Sequence, residues 1–473
     1  PTAPRRMIRD RALVVGGGIG GMAAALLLAD AGFEVDLVES GPRLGVGWRS
    51  VETPFGPADL GLRIPRESGN PRADALIFHA DPSLAWHDLG PRPREGHVAL
   101  GRLTPDTSCL DARALPALAQ ARAEVVERAD TLDPGAAAPH LAARWHATFG
   151  PTLLEGLLRP ACRVTLGAEP EALAPTAADS RIPTRVVLFD TADTDRLHRL
   201  GTLATRLAHP RASDAPNGDM RRYLYPREGG IGRWVTAMES SLPRARVRVH
   251  TGARIASLRR IGARVTAVRL EDGAELPLDL LLLAASPRAI PGTPPIPDSG
   301  LAVTARLLLF RGGAPPDLHW IASYDPATPF LRVGFVDHLE GREPVTAWRV
   351  IAELRDGAPC SLFREAEGST PKVSDARVGA ATPPPTTAGW GGGSTLQWLR
   401  NTKCVGDHPL GTGRFAVETL ATAAARHAAT NTLHGHTNLH ILRSAAGGHA
   451  LAGDLIADAA RLVARVTSTP LAA

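Results

Sequence analysis

The chain has 473 residues, 44% hydrophobic and 21% charged, which is the composition of a globular protein and too long for a single ordinary core, so two domains are expected. The net charge of +5 is carried almost wholly by arginine, with Lys372 and Lys403 the only lysines. No dense basic run with interleaved aromatics occurs, which argues against a nucleic-acid partner. The four cysteines, Cys109, Cys162, Cys360 and Cys404, are far apart and form no C-x-x-C pair, so no metal is expected and a reducing, cytoplasmic setting is. No signal peptide is expected ahead of the first strand. The apolar run Ala12–Ala31 is broken by glycines, so no integral membrane association is expected either.

The first elements are the most informative. An apolar strand, Ala12–Val15, runs into Gly16-x-Gly18-x-x-Gly21, and a helix continues to about Ala31. A second strand from Glu34 ends on Glu39. This is a dinucleotide-binding fingerprint in full context. Gly16 permits the turn, Gly18 lets a pyrophosphate approach the backbone, and Gly21 lets the helix pack on the sheet. The helix N-terminus offers free N–H groups and its positive dipole end to phosphate. Glu39 stands where a carboxylate accepts the hydroxyls of an adenosine ribose, which favours FAD or NAD over NADP.

Beyond Gly61 the α/β pattern fades. Residues 70–112 read as irregular, and 114–208 as mostly helical, with Leu153, Leu154, Leu157 and Leu158 on one face. Val186–Asp190 reads as a short strand. A turn over Tyr223–Gly232 leads into a helix to about Ser240. Arg246–His250, Gly252–Arg259, Arg264–Leu270 and Glu275–Leu278 read as a small antiparallel sheet, with Asp272-Gly273 as a hairpin turn, before a hydrophobic strand at Leu280–Ala284. Leu301–Phe310, Pro329–Phe335 and Thr346–Glu353 alternate as strands. The Pro/Gly-rich stretch 375–393, with Trp390 at the junction of its Pro383–Pro385 and Gly391–Gly393 arms, reads as a linker or a lid. Gly411–His427 is expected to be helical, Asn438–Leu442 a strand and Leu455–Val466 a closing helix.

Four blocks carry a resemblance to a known family. The first is Val14–Glu39 with Arg43-Leu-Gly45 and Phe55-Gly-x-x-Asp59-Leu-Gly61. The second is Leu154-x-x-Leu157-Leu-Arg-Pro160, Gly167-x-x-Pro170-x-x-Leu173-x-Pro175 and Arg185-Val-Val187. The third runs from Tyr225-Pro-x-x-Gly229-Gly-Ile-Gly232 to Ala285-Ser-Pro287. The fourth is Asp407-His-Pro-Leu410, Asn438-Leu-His-Ile-Leu442 and Gly453-Asp454. In this order they resemble the FAD-dependent amine oxidase superfamily, in its branch of protoporphyrinogen oxidase-like and UDP-galactopyranose mutase-like proteins.

The resemblance implies an α/β protein: a Rossmann-type FAD-binding domain interrupted by a mixed α+β substrate domain. The FAD domain is expected over 1–70, 225–300 and 400–473, and the substrate domain over 71–224 and 301–399. It implies FAD as the cofactor. The expected cofactor-binding residues are Gly16, Gly18, Ile19, Gly20, Gly21, Glu39, Ser40, Arg43, Gly45, Gly47, Trp48, Leu60, Gly61, Leu62, Arg63, Ile255, Ala285, Gly453 and Asp454. Arg66, beside Arg63, is a further fork for an anionic group. Candidate catalytic residues are Lys403, His408 and His449, with Lys403 as the lysine of a lysine–water pair.

The last block departs from the family pattern. It reads Arg443-Ser-Ala-Ala-Gly447-Gly448, Ala450 stands in the place of an aromatic residue, and His408 in that of a tyrosine. The implied activity is hydride transfer from a C–N or C–C bond of a small polar metabolite to flavin, in a biosynthetic role. Two alternatives stay open: a non-redox mutase acting on a nucleotide sugar with reduced flavin, and a degenerate flavoprotein scaffold. The mutase would grip a diphosphate with tyrosines and arginines, and the chain has only three tyrosines.

Overall fold

The computed structural model describes residues 10–130, 138–214, 220–355, 402–442 and 452–468, apart from Val46, Ser180 and Val345. Its first unit is a five-stranded parallel sheet. Arg11–Val15 lies at the centre, flanked on one side by Glu34–Glu39 and Val247–Thr251 and on the other by Leu280–Leu283 and Leu439–Ile441. The central strands are continuous hydrophobic runs because both faces are covered, as parallel sheets require. One face carries the helices Ile19–Asp30, Gly232–Arg244 and Ala452–Ser468 over a core that includes Met22, Leu28, Trp234 and Ile456. The other carries a three-stranded antiparallel sheet, Ile255–Ile261, Arg264–Leu270 and Glu275–Pro277.

The expected antiparallel sheet therefore loses its first member. Val247–Thr251 pairs parallel with Glu34–Glu39 instead. The reason is in its side chains: Arg248 forks onto the buried Asp36 at 2.9 and 2.7 Å, and His250 reaches the same carboxylate at 2.8 Å.

The second unit is a seven-stranded sheet. Its order is Lys403–Ala416, Gly300–Arg311, Ala347–Arg355, Phe330–Phe335, Trp320–Ser323, Glu95–Ala99 and Arg102–Pro105. A helical layer over 118–214 packs at its edge around Trp145, Phe149, Leu157, Leu158 and Leu203.

Two sequence expectations fail here for one physical reason, long-range pairing. Residues 70–112 are not irregular. They hold the helix Pro71–Phe78, capped by the Asn70 side chain, and strands such as Glu95–Ala99, whose parallel partner Trp320–Ser323 lies far along the chain. Gly411–His427 is not a single helix. Lys403–Ala416 is a strand along Gly300–Arg311, and the helix is Leu420–His434, started by the Thr419 side chain on the Thr422 amide at 3.1 Å. The chain consequently stays in the substrate-side sheet past residue 400, and Leu439–Ile441 marks its return to the nucleotide sheet. The stretch 375–393, including Trp390, lies outside the described residues.

Candidate active site

The fingerprint glycines do what their spacing requires. Gly16 has φ +108°, and a Cβ on Gly21 would run into the Gly16 carbonyl oxygen. A Cβ on Gly18 would meet nothing within 4 Å, so the space in front of that residue is open. The helix Ile19–Asp30 starts at Gly18 with no side-chain cap and no acidic residue in its first turn. Ile19, Gly20 and Gly21 are buried there, and a buried helix start without a capping group is a ready anion site. Ala285 closes against Gly16, and Gly20 faces Leu442 and Leu455. The Gly45 amide donates to the Gly17 carbonyl at 2.8 Å, which holds the Arg43–Gly45 loop over the fingerprint.

Glu39, at the end of the second strand, is 9% exposed. Its two oxygens accept the Gly17 and Gly41 amides at 2.7 and 2.6 Å, with the Ser40 hydroxyl at 3.3 Å. Oε2, which accepts only the Gly17 amide, keeps a further lone pair for a ribose hydroxyl. Arg43 and Ser40 are exposed beside it. The Ile255 side chain belongs to the core below the antiparallel sheet, so only its backbone is free to face a base. These observations fit an adenine dinucleotide: an open glycine turn, an uncapped helix start and a carboxylate at ribose distance along the sheet.

Behind the next loop is a buried carboxyl that the sequence motif contained but the site reading left out. Asp59 accepts from Tyr225 Oη at 2.6 Å, Ser50 Oγ at 2.7 Å and the Ile231 amide at 2.8 Å. Burial pushes its carboxyl up to about 6, and these hydrogen bonds and the charge of Arg63 pull against that rise. Gly230 has φ +69°, and a Cβ there would collide with Asp59. Tyr225 thus anchors the glycine turn to the Asp59 loop. Leu60, half-buried, is tied by its amide to the Arg49 carbonyl at 3.1 Å.

The two domains meet at Gly61-Leu62-Arg63. Gly61 has φ +132°, and a Cβ there would lie 2.8 Å from Glu353 Oε1. Glu353, 1% exposed on the Ala347–Arg355 strand, accepts the Leu62 amide at 3.0 Å and Arg63 Nη1 at 3.3 Å. It also accepts Arg332 Nε at 2.6 Å and Nη2 at 2.8 Å from the neighbouring strand. Arg63 in turn lies beside Gly47. Burial alone would push the Glu353 carboxyl up, but Arg332, Arg63 and Arg181 together hold it below its ordinary value.

Arg181 lies with its guanidinium carbon 3.7 Å from the centre of the Phe415 ring, and Arg332 is 5.8 Å from the same ring. Tyr324, 8% exposed, feels Glu95 and Cys109 on one side and Arg332 and Arg181 on the other, and burial pushes its phenol above its ordinary value. Glu95 stands beside Ser108 and Trp320, and burial pushes its carboxyl up to about 7. These side chains form one polar cluster, termed the chamber, against the Gly61–Arg63 segment. Sequence reading missed Glu353, Arg332, Arg181, Tyr324 and Glu95. They come from separate strands and loops, and no local pattern marks them.

The remaining expected residues divide clearly. Trp48 stands edge-on to Trp234, with ring centres 5.8 Å apart, and packs on the core of the nucleotide domain. Gly453 and Asp454 open the last described helix. Gly453 is pressed against the backbone of Arg66 and Glu67, and Asp454 accepts from both Arg66 and Arg221 at 3.1 Å. Lys403 is not brought to the chamber. It pairs with Arg311, while Glu353 pairs with Ala305, six residues along the same strand and roughly 20 Å away. The reason is the strand itself, which begins at the far end of the sheet. His408 pairs with Leu307, on the sheet face whose apolar cluster packs Ala58 and Phe55. His449 lies outside the described residues. A separate cleft of about 640 Å³, lined by Phe55, Gly229, Arg233, Asp337, Glu340 and Arg349, has its acids paired with arginines of its own rim. Among the described residues no group of His, Cys, Asp or Glu is disposed to hold a metal ion, and no helix is long and apolar enough to cross a membrane.

Residues 14–78 match the family model of the NAD(P)-binding Rossmann-like domain. A UDP-galactopyranose mutase structure superposes with a TM-score of 0.61, covering 98% of this chain and 96% of that one at 14% identity. A putrescine oxidase structure superposes at 0.53, covering 98% and 100%, at 12% identity. The chain shares its fold with these two solved structures. By sequence, the chain is similar to the hydroxyneurosporene desaturases of Cereibacter sphaeroides and Rhodobacter capsulatus. The first is 29% identical over 309 residues, or 60% of the chain and 58% of the relative; the second is 30% identical over 291 residues, or 59% and 56%. The chain therefore spans less than two thirds of the length of the curated relatives it matches. The fold is α/β, as the strand–glycine–helix fingerprint implied, with a Rossmann-type domain whose sheet is assembled from separated segments.

Proposed function

We propose that the protein is a FAD-dependent oxidoreductase that takes hydride from the carbon of a C–N or C–C bond in a small polar metabolite, in a biosynthetic role. The observation that carries this reading is the position of Gly61-Leu62-Arg63. It joins the dinucleotide cradle, through Gly47, to the polar cluster of Glu353, Arg332 and Arg181, which we read as the wall of the substrate chamber. The relatives named as desaturases favour the C–C form of the reaction.

FAD, when bound, supplies the hydride acceptor. The chain's own residues do the rest. Gly18 and the start of the Ile19–Asp30 helix receive the diphosphate, and Glu39 receives the ribose. Glu353 fixes the Leu62 amide and the Arg63 guanidinium in one geometry, so the floor of the chamber does not shift when substrate enters. Tyr324 and Glu95 are the proton-holding groups of the chamber: the phenol stays protonated, and the Glu95 carboxyl changes state near neutral pH. Lys403 has no role here. His408, on the sheet face that packs Phe55, is a candidate for the chamber's far wall.

The purified protein is expected to be yellow, to release flavin on denaturation, and to bleach anaerobically with its substrate and recover in air. A colourless protein that cannot be reconstituted with FAD would sink the proposal. A protein active only after prior reduction, with no net consumption of oxidant, would replace it with mutase chemistry.

A further inference from the structure

We propose that Arg181 is the carboxylate-binding residue of the chamber, so that the substrate is an organic acid whose carboxylate seats on Arg181 against Phe415. The proposal rests on the chamber's being the substrate site. Three guanidinium groups, those of Arg63, Arg332 and Arg181, face one carboxylate, that of Glu353. Arg332 already spends Nε and Nη2 on Glu353, and Arg63 spends Nη1 on Glu353 and the Leu62 carbonyl. Arg181 has neither an ion pair nor a side-chain hydrogen bond among the described residues. Its recorded partner is the Phe415 ring at 3.7 Å.

At that separation the guanidinium sits over the ring, and its N–H groups, with no side-chain hydrogen bond among the described residues, can serve a planar bidentate acceptor. Burial and the charges of Arg332 and Arg63 lower its pKa to about 10 against the pull of Glu353, so the group carries its full charge at neutral pH. Three guanidinium groups against the one Glu353 carboxylate leave an excess of positive charge around the half-buried Arg181, which favours an added anion. One side of its surroundings is apolar, where Phe415 packs with Leu301, Leu331 and Val303, while Tyr324 and the charged Glu353, Arg332 and Arg63 stand on the other. The apolar side suits the hydrocarbon body of an organic acid better than the fully hydrated surface of a phosphate ester. A single such guanidinium also matches one carboxylate.

The test uses the full chain as purified, with its flavin content measured separately by release and absorbance. Benzoate, benzamide and inorganic phosphate are titrated calorimetrically into the parent, Arg181→Gln and Arg181→Lys. Benzoate is expected to bind the parent at least about tenfold more tightly than benzamide, to lose about tenfold or more in Arg181→Gln, and to recover part of that in Arg181→Lys. Equal binding of benzoate and benzamide to the parent overturns the proposal, and this arm needs no variant to fold. Benzoate affinity unchanged in a folded Arg181→Gln protein also overturns it. So does phosphate binding more tightly than benzoate through Arg181. Binding is read without turnover, so a protein that holds benzoate through Arg181 but no flavin would refute the oxidoreductase reading and leave the carboxylate site standing.

Discussion

Replacing Glu353 by Gln should be the most damaging isosteric change in the chamber. The parent carboxylate takes two hydrogen bonds from Arg332 at 2.6 and 2.8 Å, one from the Leu62 amide at 3.0 Å and one from Arg63 at 3.3 Å. Glutamine keeps the shape but supplies one acceptor oxygen, and its amide nitrogen points a donor at groups that are all donors. It also leaves Arg332 and Arg63 without their shared counter-charge at a site that is 1% exposed. Breaking one side of a buried pair costs about 3–5 kcal/mol. Urea unfolding followed by tryptophan fluorescence measures the loss. Because Arg332 is the stranded partner, the double variant Glu353→Gln/Arg332→Gln should be more stable than Glu353→Gln alone, a negative coupling readable in a double-mutant cycle. The pH dependence has a definite sign. The Glu353 carboxyl sits below its ordinary value of 4.5 in the folded protein, so its contribution is present above that pH and is lost as pH falls toward the depressed folded value. The gap between parent and variant should therefore narrow on acidification. A Glu353→Gln protein within about 1 kcal/mol of the parent, with a pH-independent gap, would refute the account of Glu353 as the charge that holds the roof to the floor.

Glu39→Ala should lose FAD affinity by about 10- to 150-fold, the worth of a charge-assisted hydrogen bond or two to ribose. A flavin-fluorescence titration of the apoprotein checks this, and unchanged affinity would show that the ribose lies elsewhere. Gly61→Ala should destabilise by more than about 1 kcal/mol, because an L-residue is strained at φ +132° and its Cβ would stand 2.8 Å from Glu353 Oε1. Urea midpoints equal to the parent's would mean that the loop relaxes freely.

The dinucleotide half of the site was legible because its chemistry is local. Gly16, Gly18, Gly21 and Glu39 lie within one strand–helix–strand unit, and each role follows from spacing. The chamber was not legible, for the opposite reason. Glu353 and Arg332 become neighbours only when Ala347–Arg355 pairs with Phe330–Phe335, and Arg181 reaches them from the helical layer through Phe415. In a chain so rich in arginine, no single one of these residues stands out. The misread segment after Gly411 shows the same limit. Its glycines and alanines suit either state, and pairing with Gly300–Arg311 decides for strand. Lys403 drew attention by its rarity, its place just ahead of the fourth block and the family's lysine–water pair, none of which says which end of a strand a residue occupies.

The chamber's charge has a further consequence for pH. Arg181, the most perturbed of its arginines, still titrates only at about 10, so the positive roof is constant across the physiological range. Glu95 is the group there that changes state near neutrality, because burial raises its carboxyl from 4.5 to about 7 against the pull of Ser108 and Trp320. A raised folded pKa means that Glu95 contributes most to stability below pH 4.5, where it is protonated in both states, and that this contribution is lost as pH rises through about 7. The full difference is at most about 3 kcal/mol, and access of water to the half-buried side chain reduces it. Glu95→Gln, which is neutral throughout, should therefore gain stability relative to the parent as pH rises from 5 to about 8. A relative stability that is flat over this range, or that falls, would show that Glu95 ionises at an ordinary pKa and is not the chamber's proton-holding carboxyl.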